Sequence, residues 1–206
     1  MPMLTVEGLH RPDLCQTNLG PLSFHVDAGE CLALTGPSGA GKSLLLRALA
    51  DLDPADGTVR IDGRERSAVP APEWRRLISC IPADAGWWHD LVGPHLPNTA
   101  AATEIIAALG FDDPASVLTW PVSQLSSGER QRLALARGLL GDARVILLDE
   151  PTSALDADSR ALVEALVSSR LAAGAAVLLV SHDREQVARL AQRQLHMRHG
   201  ALVAAP

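Results

Sequence analysis

The sequence predicts an α/β protein with a mainly parallel sheet at its core, antiparallel β strands at the N-terminus and an inserted helical subdomain. Three observations point there. Short apolar runs with strand character alternate with helix-like runs at both ends of the chain. Residues 84–140, between them, carry helix signals only. And 206 residues that are 47% hydrophobic and 20% charged suit a packed globular chain.

Taken in order, Leu4 to Glu7 and Ser23 to Val26 read as short strands. Cys31 to Thr35 is an apolar strand bounded by Gly29 and Gly36. Lys42 to Ala50 reads as a helix with Leu44, Leu45, Ala48 and Leu49 on its inner face. Thr58 to Ile61 alternates like a half-exposed strand, and Asp62-Gly63 turns it. Leu77 to Ile81 is a further strand candidate. The spacing then predicts helices over 98–109 behind Asn98, over 114–119 with Pro114 in the first turn, and over 128–140 ending at Gly141. Alternation returns with a buried strand at Arg144 to Leu148, a helix at 157–172 behind Asp156 and a strand at Ala175 to Val180. A helix at 184–192 and a hairpin at 194–203 turning at Gly200 complete the chain. The simplest division is one domain over 1–206, with a core lobe of 1–83 and 141–206 and a helical subdomain of 84–140.

The bulk properties exclude several classes. A net charge of −6 argues against a nucleic-acid binder, which would carry a basic stripe. The longest strongly apolar stretch, Ala175 to Val180, is far short of the ~20 residues a spanning helix needs. The first residues show neither the basic nor the apolar segment of a signal peptide, so a cytoplasmic chain is expected. Cys15, Cys31 and Cys80 have no metal-ligand spacing and read as reduced thiols, with Cys31 inside a strand. Lys42 is the only lysine in a chain whose other cations are arginines.

That lysine lies within Gly36-Pro37-Ser38-Gly39-Ala40-Gly41-Lys42-Ser43, which fits G-x-x-x-x-G-K-[S/T] between a predicted strand and a predicted helix. Glycines let the backbone curl so that successive N–H groups point at phosphate oxygens, and the helix start adds its positive dipole end. Lys42 is expected to neutralise the β- and γ-phosphates and the Ser43 hydroxyl to bind Mg²⁺, which makes the core a P-loop NTPase core.

Val145-Ile146-Leu147-Leu148-Asp149-Glu150 is an apolar strand that ends in two carboxylates, at the sheet edge where α/β proteins bind ligands. Asp149 is expected to hold Mg²⁺ through water, and Glu150 to orient and deprotonate an attacking water. His182 follows the next apolar strand and is expected near the same edge, on the γ-phosphate.

Leu125-Ser126-Ser127-Gly128-Glu129-Arg130-Gln131-Arg132 opens a helix and resembles the signature motif of the ATP-binding-cassette (ABC) ATPases, usually Leu-Ser-Gly-Gly-Gln. Ser153-Ala154-Leu155-Asp156 resembles their D-loop, and Ser181-His182-Asp183 their switch histidine. With the phosphate loop and the acidic strand, five motifs stand in the family's order over nearly the whole chain. The resemblance implies ATP and Mg²⁺ as cofactors. It implies Glu150, His182 and Lys42 as the catalytic set. It also implies a homodimer, or a pair with a second cassette, in which Ser126, Ser127, Gly128 and Asp156 of one copy help bind the nucleotide of the other. A separate transmembrane permease subunit would hold the pair at the cytoplasmic face of the membrane, and ATP hydrolysis would power transport.

This chain departs from the family pattern. Ala83 stands where a glutamine usually follows the strand before the helical lobe, with Asp84 beside it. The region Leu9 to Leu14 offers only His10 as a flat ring for adenine, and the chain has no tyrosine. Ser127 replaces a glycine and Glu129 a glutamine. Two other functions stay open: a soluble ABC ATPase acting on nucleic acid or ribosomes, and a degenerate cassette that binds ATP to regulate a partner. Trp87-Trp88 reads either as local core or as a grip on a membrane partner.

Overall fold

The computed structural model describes residues 2–11, 19–97 and 99–203. Two sheets carry the fold. The first is antiparallel, in the order β2-β1-β4-β5, built from β1 (Pro2–Arg11), β2 (Leu19–Asp27), β4 (Asp56–Ile61) and β5 (Arg64–Glu65). The second has six strands in the order β10-β9-β3-β8-β7-β6. Its members are β3 (Cys31–Thr35), β6 (Ile78–Ile81), β7 (Val145–Asp149), β8 (Ala176–Val180), β9 (Arg193–Arg198) and β10 (Ala201–Val203). All neighbours there are parallel except β10, which closes a hairpin on β9. Every residue of β7 and β8 is buried, as unbroken apolar runs in a covered parallel sheet should be.

Two apolar clusters lie on the two faces of this sheet. One packs Leu32, Leu34 and Leu178 against the antiparallel sheet and α1 (Lys42–Leu49). The other packs Ile146, Leu148 and Leu179 under α5 (Ser127–Leu139) and α6 (Ala157–Ala172). α3 (Ala100–Ala108), α4 (Pro114–Val117) and α5 stand between β6 and β7 in the chain, and α7 (Arg184–Leu190) follows β8.

Several elements differ from the sequence reading. A helix, α2 (Ala71–Leu77), occupies a stretch without a periodic apolar face, so Leu77 closes a helix and β6 starts at Ile78. One residue holds it: Trp74 is fully buried, and its indole N–H donates to the Leu49 carbonyl at 2.9 Å. Proline at its start, Glu73 in the first turn and Arg75 and Arg76 in the last are the signals that could have revealed it. The expected cap Asn98 lies outside the described residues; Thr99 caps α3 by accepting from Ala102 N. β1 and β2 run well beyond the expected segments because each pairs along its whole length. In α1, Leu46 is buried and Leu44 only half-buried, which turns the inner face by one residue. Cys31 is buried in its strand, Cys80 is half-buried, and Cys15 lies outside the described residues.

Candidate active site

Four adjacent parallel strands deliver the site. β3, β8, β7 and β6 all end at the same sheet edge, so the chain just beyond each of them meets its neighbours there. Beyond β3 comes Gly36 to Ser43, beyond β7 Glu150, beyond β8 Ser181 and His182, and beyond β6 Ala83. A cleft of about 330 Å³ is lined by the phosphate loop from Ser38 to Leu44 together with Ala83, Asp149, Glu150 and His182.

The loop geometry requires its glycines. Gly36 has φ 145°, and a Cβ there would stand 2.1 Å from the Met197 carbonyl oxygen, so nothing larger fits against β9. Gly41 has φ 103° and precedes α1 with no side chain capping the helix, which leaves the first-turn N–H groups facing the cleft. The Lys42 ammonium is buried and donates to the carbonyls of Gly36 at 2.8 Å and Pro37 at 3.0 Å, so it is stretched back along the loop. Burial pulls its pKa below the ordinary lysine value, while the charges of Glu150 and Asp149 pull the other way.

Ser43 Oγ donates to Asp149 Oδ2 at 2.6 Å, across 106 residues of sequence. A hydroxyl and a carboxylate oxygen thus share one point of the cleft. These are hard donors that suit Mg²⁺, and they are too few to bind it without phosphate and water oxygens. Consistently, the described residues hold no cluster of three or more His, Cys, Asp or Glu side chains able to bind a metal alone.

Glu150 takes φ 49°, a left-handed conformation unusual for a glutamate. Its carboxylate turns to His182: Oε2 accepts from the His182 backbone N–H at 3.4 Å. Oε1 lies 3.2 Å from His182 Nε2, off the hydrogen-bonding direction, and is a buried oxygen that no donor among the described residues satisfies. Burial raises the Glu150 pKa above the usual carboxylate range and the Asp149 charge adds to the rise. His182, through its charge and its backbone N–H, and the Lys42 charge oppose it. A carboxylate held this way is a better base than one in water.

Not every residue expected at the site lies in this cleft. Ser126 caps α5, and Ser127 lines a neighbouring cleft of about 400 Å³ shared with Ala83, Asp84, Gln131, Ser153 and Ala154. Gly128 packs close to Ala154, and the Asp156 carboxylate caps α6 by accepting from Ser159 N at 2.7 Å. Gly36 and Pro37 line a separate recess with Thr35, His182 and His196. Asp84 opens on the neighbouring cleft and is not among the residues lining the cradle, where Ala83 has no polar side-chain atom to offer. His10 is bonded to its own strand through the Gly8 carbonyl at 3.0 Å and approaches Asp56 at 3.8 Å. Trp87 is half-buried against the core, as the local-core reading expects, while Trp88 is 65% exposed and packs edge-on against His95. The sequence reading placed Gln131 in the signature stretch without a role, and its amide bonds to the Glu150 loop; it missed Gln186, which is fully buried and donates to Thr152 Oγ1 at 2.9 Å. The two contacts themselves leave no local signal, since both join distant parts of the chain.

A strand, a phosphate-cradling loop and a helix, with an Asp-Glu pair at the end of a second strand of the same sheet, define a P-loop ATPase. Comparison with known proteins narrows the class. A family model described as ABC transporter matches residues 19–153, and the chain belongs to that family. It is 42% identical to the aliphatic sulfonates import ATP-binding protein SsuB 2 of Agrobacterium fabrum over 88% of this chain and 71% of that protein. It is 39% identical to the cytochrome c biogenesis ATP-binding export protein CcmA of Xanthomonas axonopodis pv. citri, over 79% of this chain and 78% of that one. A solved ATP-binding subunit of an ABC transporter superposes with a TM-score of 0.84 at 24% identity, covering 98% of this chain and 88% of the other. The chain is therefore an ATP-binding, ATP-hydrolysing transporter subunit, which favours the first of the three functions left open by the sequence. No helix among the described residues is long and apolar enough to cross a membrane.

Proposed function

We propose that two copies of this chain pair head to tail, each closing the other's nucleotide site, and that they drive a separate transmembrane permease from its cytoplasmic face. The observation that carries the catalytic part is the convergence of Lys42, Ser43, Asp149, Glu150 and His182 on one cleft. Lys42 leaves its loop carbonyls to neutralise the β- and γ-phosphates, and the N–H groups of Ser38 to Ser43 bind their oxygens. Ser43 and Asp149 would hold Mg²⁺, which offsets phosphate charge when bound. Glu150 orients a water and takes its proton as the water oxygen bonds to the γ-phosphorus and the bond to the ADP oxygen breaks. His182, 3.2 Å from the carboxylate, steadies the base and reaches the γ-phosphate.

Pairing follows from the α5 end. Ser126, the N–H groups of Ser127 and Gly128 and the helix dipole make a second anion site with no phosphate loop of its own chain beside it. A mate's γ-phosphate is its natural ligand, and Asp156 at the following turn lies on the same seam. In this reading 1–83 with 141–206 is the nucleotide lobe, and 84–140 is the lobe that carries Ser126 and faces the permease.

Glu150→Gln is the test. Hydrolysis should fall by about 10²–10⁴-fold, while ATP still binds and size-exclusion chromatography finds a dimer at saturating ATP. A Glu150→Gln protein that stays monomeric under those conditions contradicts the pairing, and one that hydrolyses ATP at the parent rate contradicts the role of Glu150.

A further inference from the structure

We infer that Gln131 is a positioning residue for hydrolysis, because its single amide fastens the turn that aims Glu150. The inference rests on Glu150 being the base.

The turn needs an external hold. Glu150 sits at φ 49°, a strained region for a residue with a long side chain, and such strain persists only where the surroundings over-determine it. Its N–H is tied into the sheet through the Val180 carbonyl at 2.9 Å. Its carbonyl is held from the other side. Gln131 Nε2 donates to Glu150 O at 2.8 Å and lies 3.3 Å from Ser153 Oγ, and Gln131 Oε1 accepts from Ala154 N at 3.0 Å. One side chain therefore spans the turn from its first residue to its fifth. Gln186 grips the middle of the same turn from α7 through Thr152.

Gln131 is also a bond between distant parts of the site. It projects from α5, one turn beyond Ser126, and among the described residues no other α5 side chain bonds to the turn from Glu150 to Ala154. Ala83, just beyond β6, has no polar side-chain atom to offer the site. A displacement of α5 relative to β7 thus reaches the Glu150 backbone through this amide. Rotation of the Glu150 peptide swings the carboxylate away from His182, Lys42 and Asp149, the titratable groups that face it.

The test is steady-state ATPase kinetics of the full chain carrying Gln131→Met, which keeps shape and loses both hydrogen bonds, or Gln131→Glu, which keeps only the acceptor for Ala154 N. Both should lower kcat about 10–100-fold, the scale of a reacting group misplaced by roughly 1 Å. KM for ATP should stay within about twofold, because the cradle is untouched. The number of ATP molecules bound per chain, read by titration calorimetry, should stay at the parental value, so that each bound nucleotide turns over more slowly. A merely structural role would instead lower that number in step with kcat. The inference is overturned by a Gln131→Met or Gln131→Glu protein with a kcat within about twofold of the parent, or by a lowered kcat matched by an equal fall in ATP bound per chain. Glu150→Gln in parallel separates the failures: parental turnover there sinks the role of Glu150, whereas a dead Glu150→Gln beside a fully active Gln131→Met sinks only the role of Gln131.

Discussion

Two helix starts in this molecule use the same physics in opposite ways. α1 begins at Gly41 with no side-chain cap, and its N–H groups line a cleft. α5 begins at Ser126 with a complete capping box. Ser126 Oγ accepts from Glu129 N at 3.3 Å, and Glu129 Oε2 accepts from both Ser126 N and Ser126 Oγ at 2.8 Å. The Glu129 carboxylate thus supplies α5 with the negative charge that α1 has none of. The difference teaches that an anion-ready helix end can be left open, at a cost in local stability, or closed on its own charge until a stronger anion arrives. The open end sits where, in the proposed function, one chain is sufficient to bind phosphate. The closed end sits where, in the proposed pairing, a second copy must bring it.

The largest effect that could break this contrast is on the open end. Lys42→Ala should weaken ATP binding to the single chain by about 10–100-fold, the value of a lost charge-assisted bond, as read by titration calorimetry. Unchanged affinity would mean that the cradle owes little to its only ammonium.

A smaller and different effect is expected at the closed end. Ser126→Ala should leave single-chain ATP affinity within about twofold and should lower hydrolysis at protein concentrations where pairs form. Losing the cap should cost about 1 kcal/mol, or roughly 2–4 °C of melting temperature for a chain of this size. A Ser126→Ala protein that loses ATP affinity as a monomer would erase the distinction between the two ends.

The smallest effect is a pH dependence. The backbone N–H and the hydroxyl of Ser126 hold the Glu129 pKa below the ordinary carboxylate value. A depressed folded pKa contributes stability above the unfolded value, near ~4.3, and loses it as pH falls through the folded one. Glu129→Ala should therefore be less stable than the parent by a constant margin near neutrality, and the margin should close below about pH 4. Denaturant titrations at several pH values read this directly. A margin that widens on acidification would have the wrong sign.

Legibility followed the range of the forces involved. The phosphate loop, the acidic strand and the caps at Ser126 and Asp156 are set by neighbours a few residues away, and their spacing is visible in one dimension. α2 escaped because one tryptophan, and no apolar face, ties it to the core through the Leu49 carbonyl. The α3 cap was misplaced because Asn98 and Thr99 are both competent and adjacent, and composition does not choose between them.

By itself the sequence determined which chemistry the chain owns: a strand–loop–helix that cradles phosphate, two carboxylates delivered by a buried strand, and a serine-led helix start. Only the tertiary structure decided which of these groups meet. The order β3-β8-β7-β6 sets the Ser43 hydroxyl against Asp149 across 106 residues, and the packing of α5 brings Gln131 onto the Glu150 carbonyl. The reason is physical. Backbone periodicity and capping are short-range and leave a local mark, whereas strand order and helix packing come from burying apolar faces contributed by the whole chain.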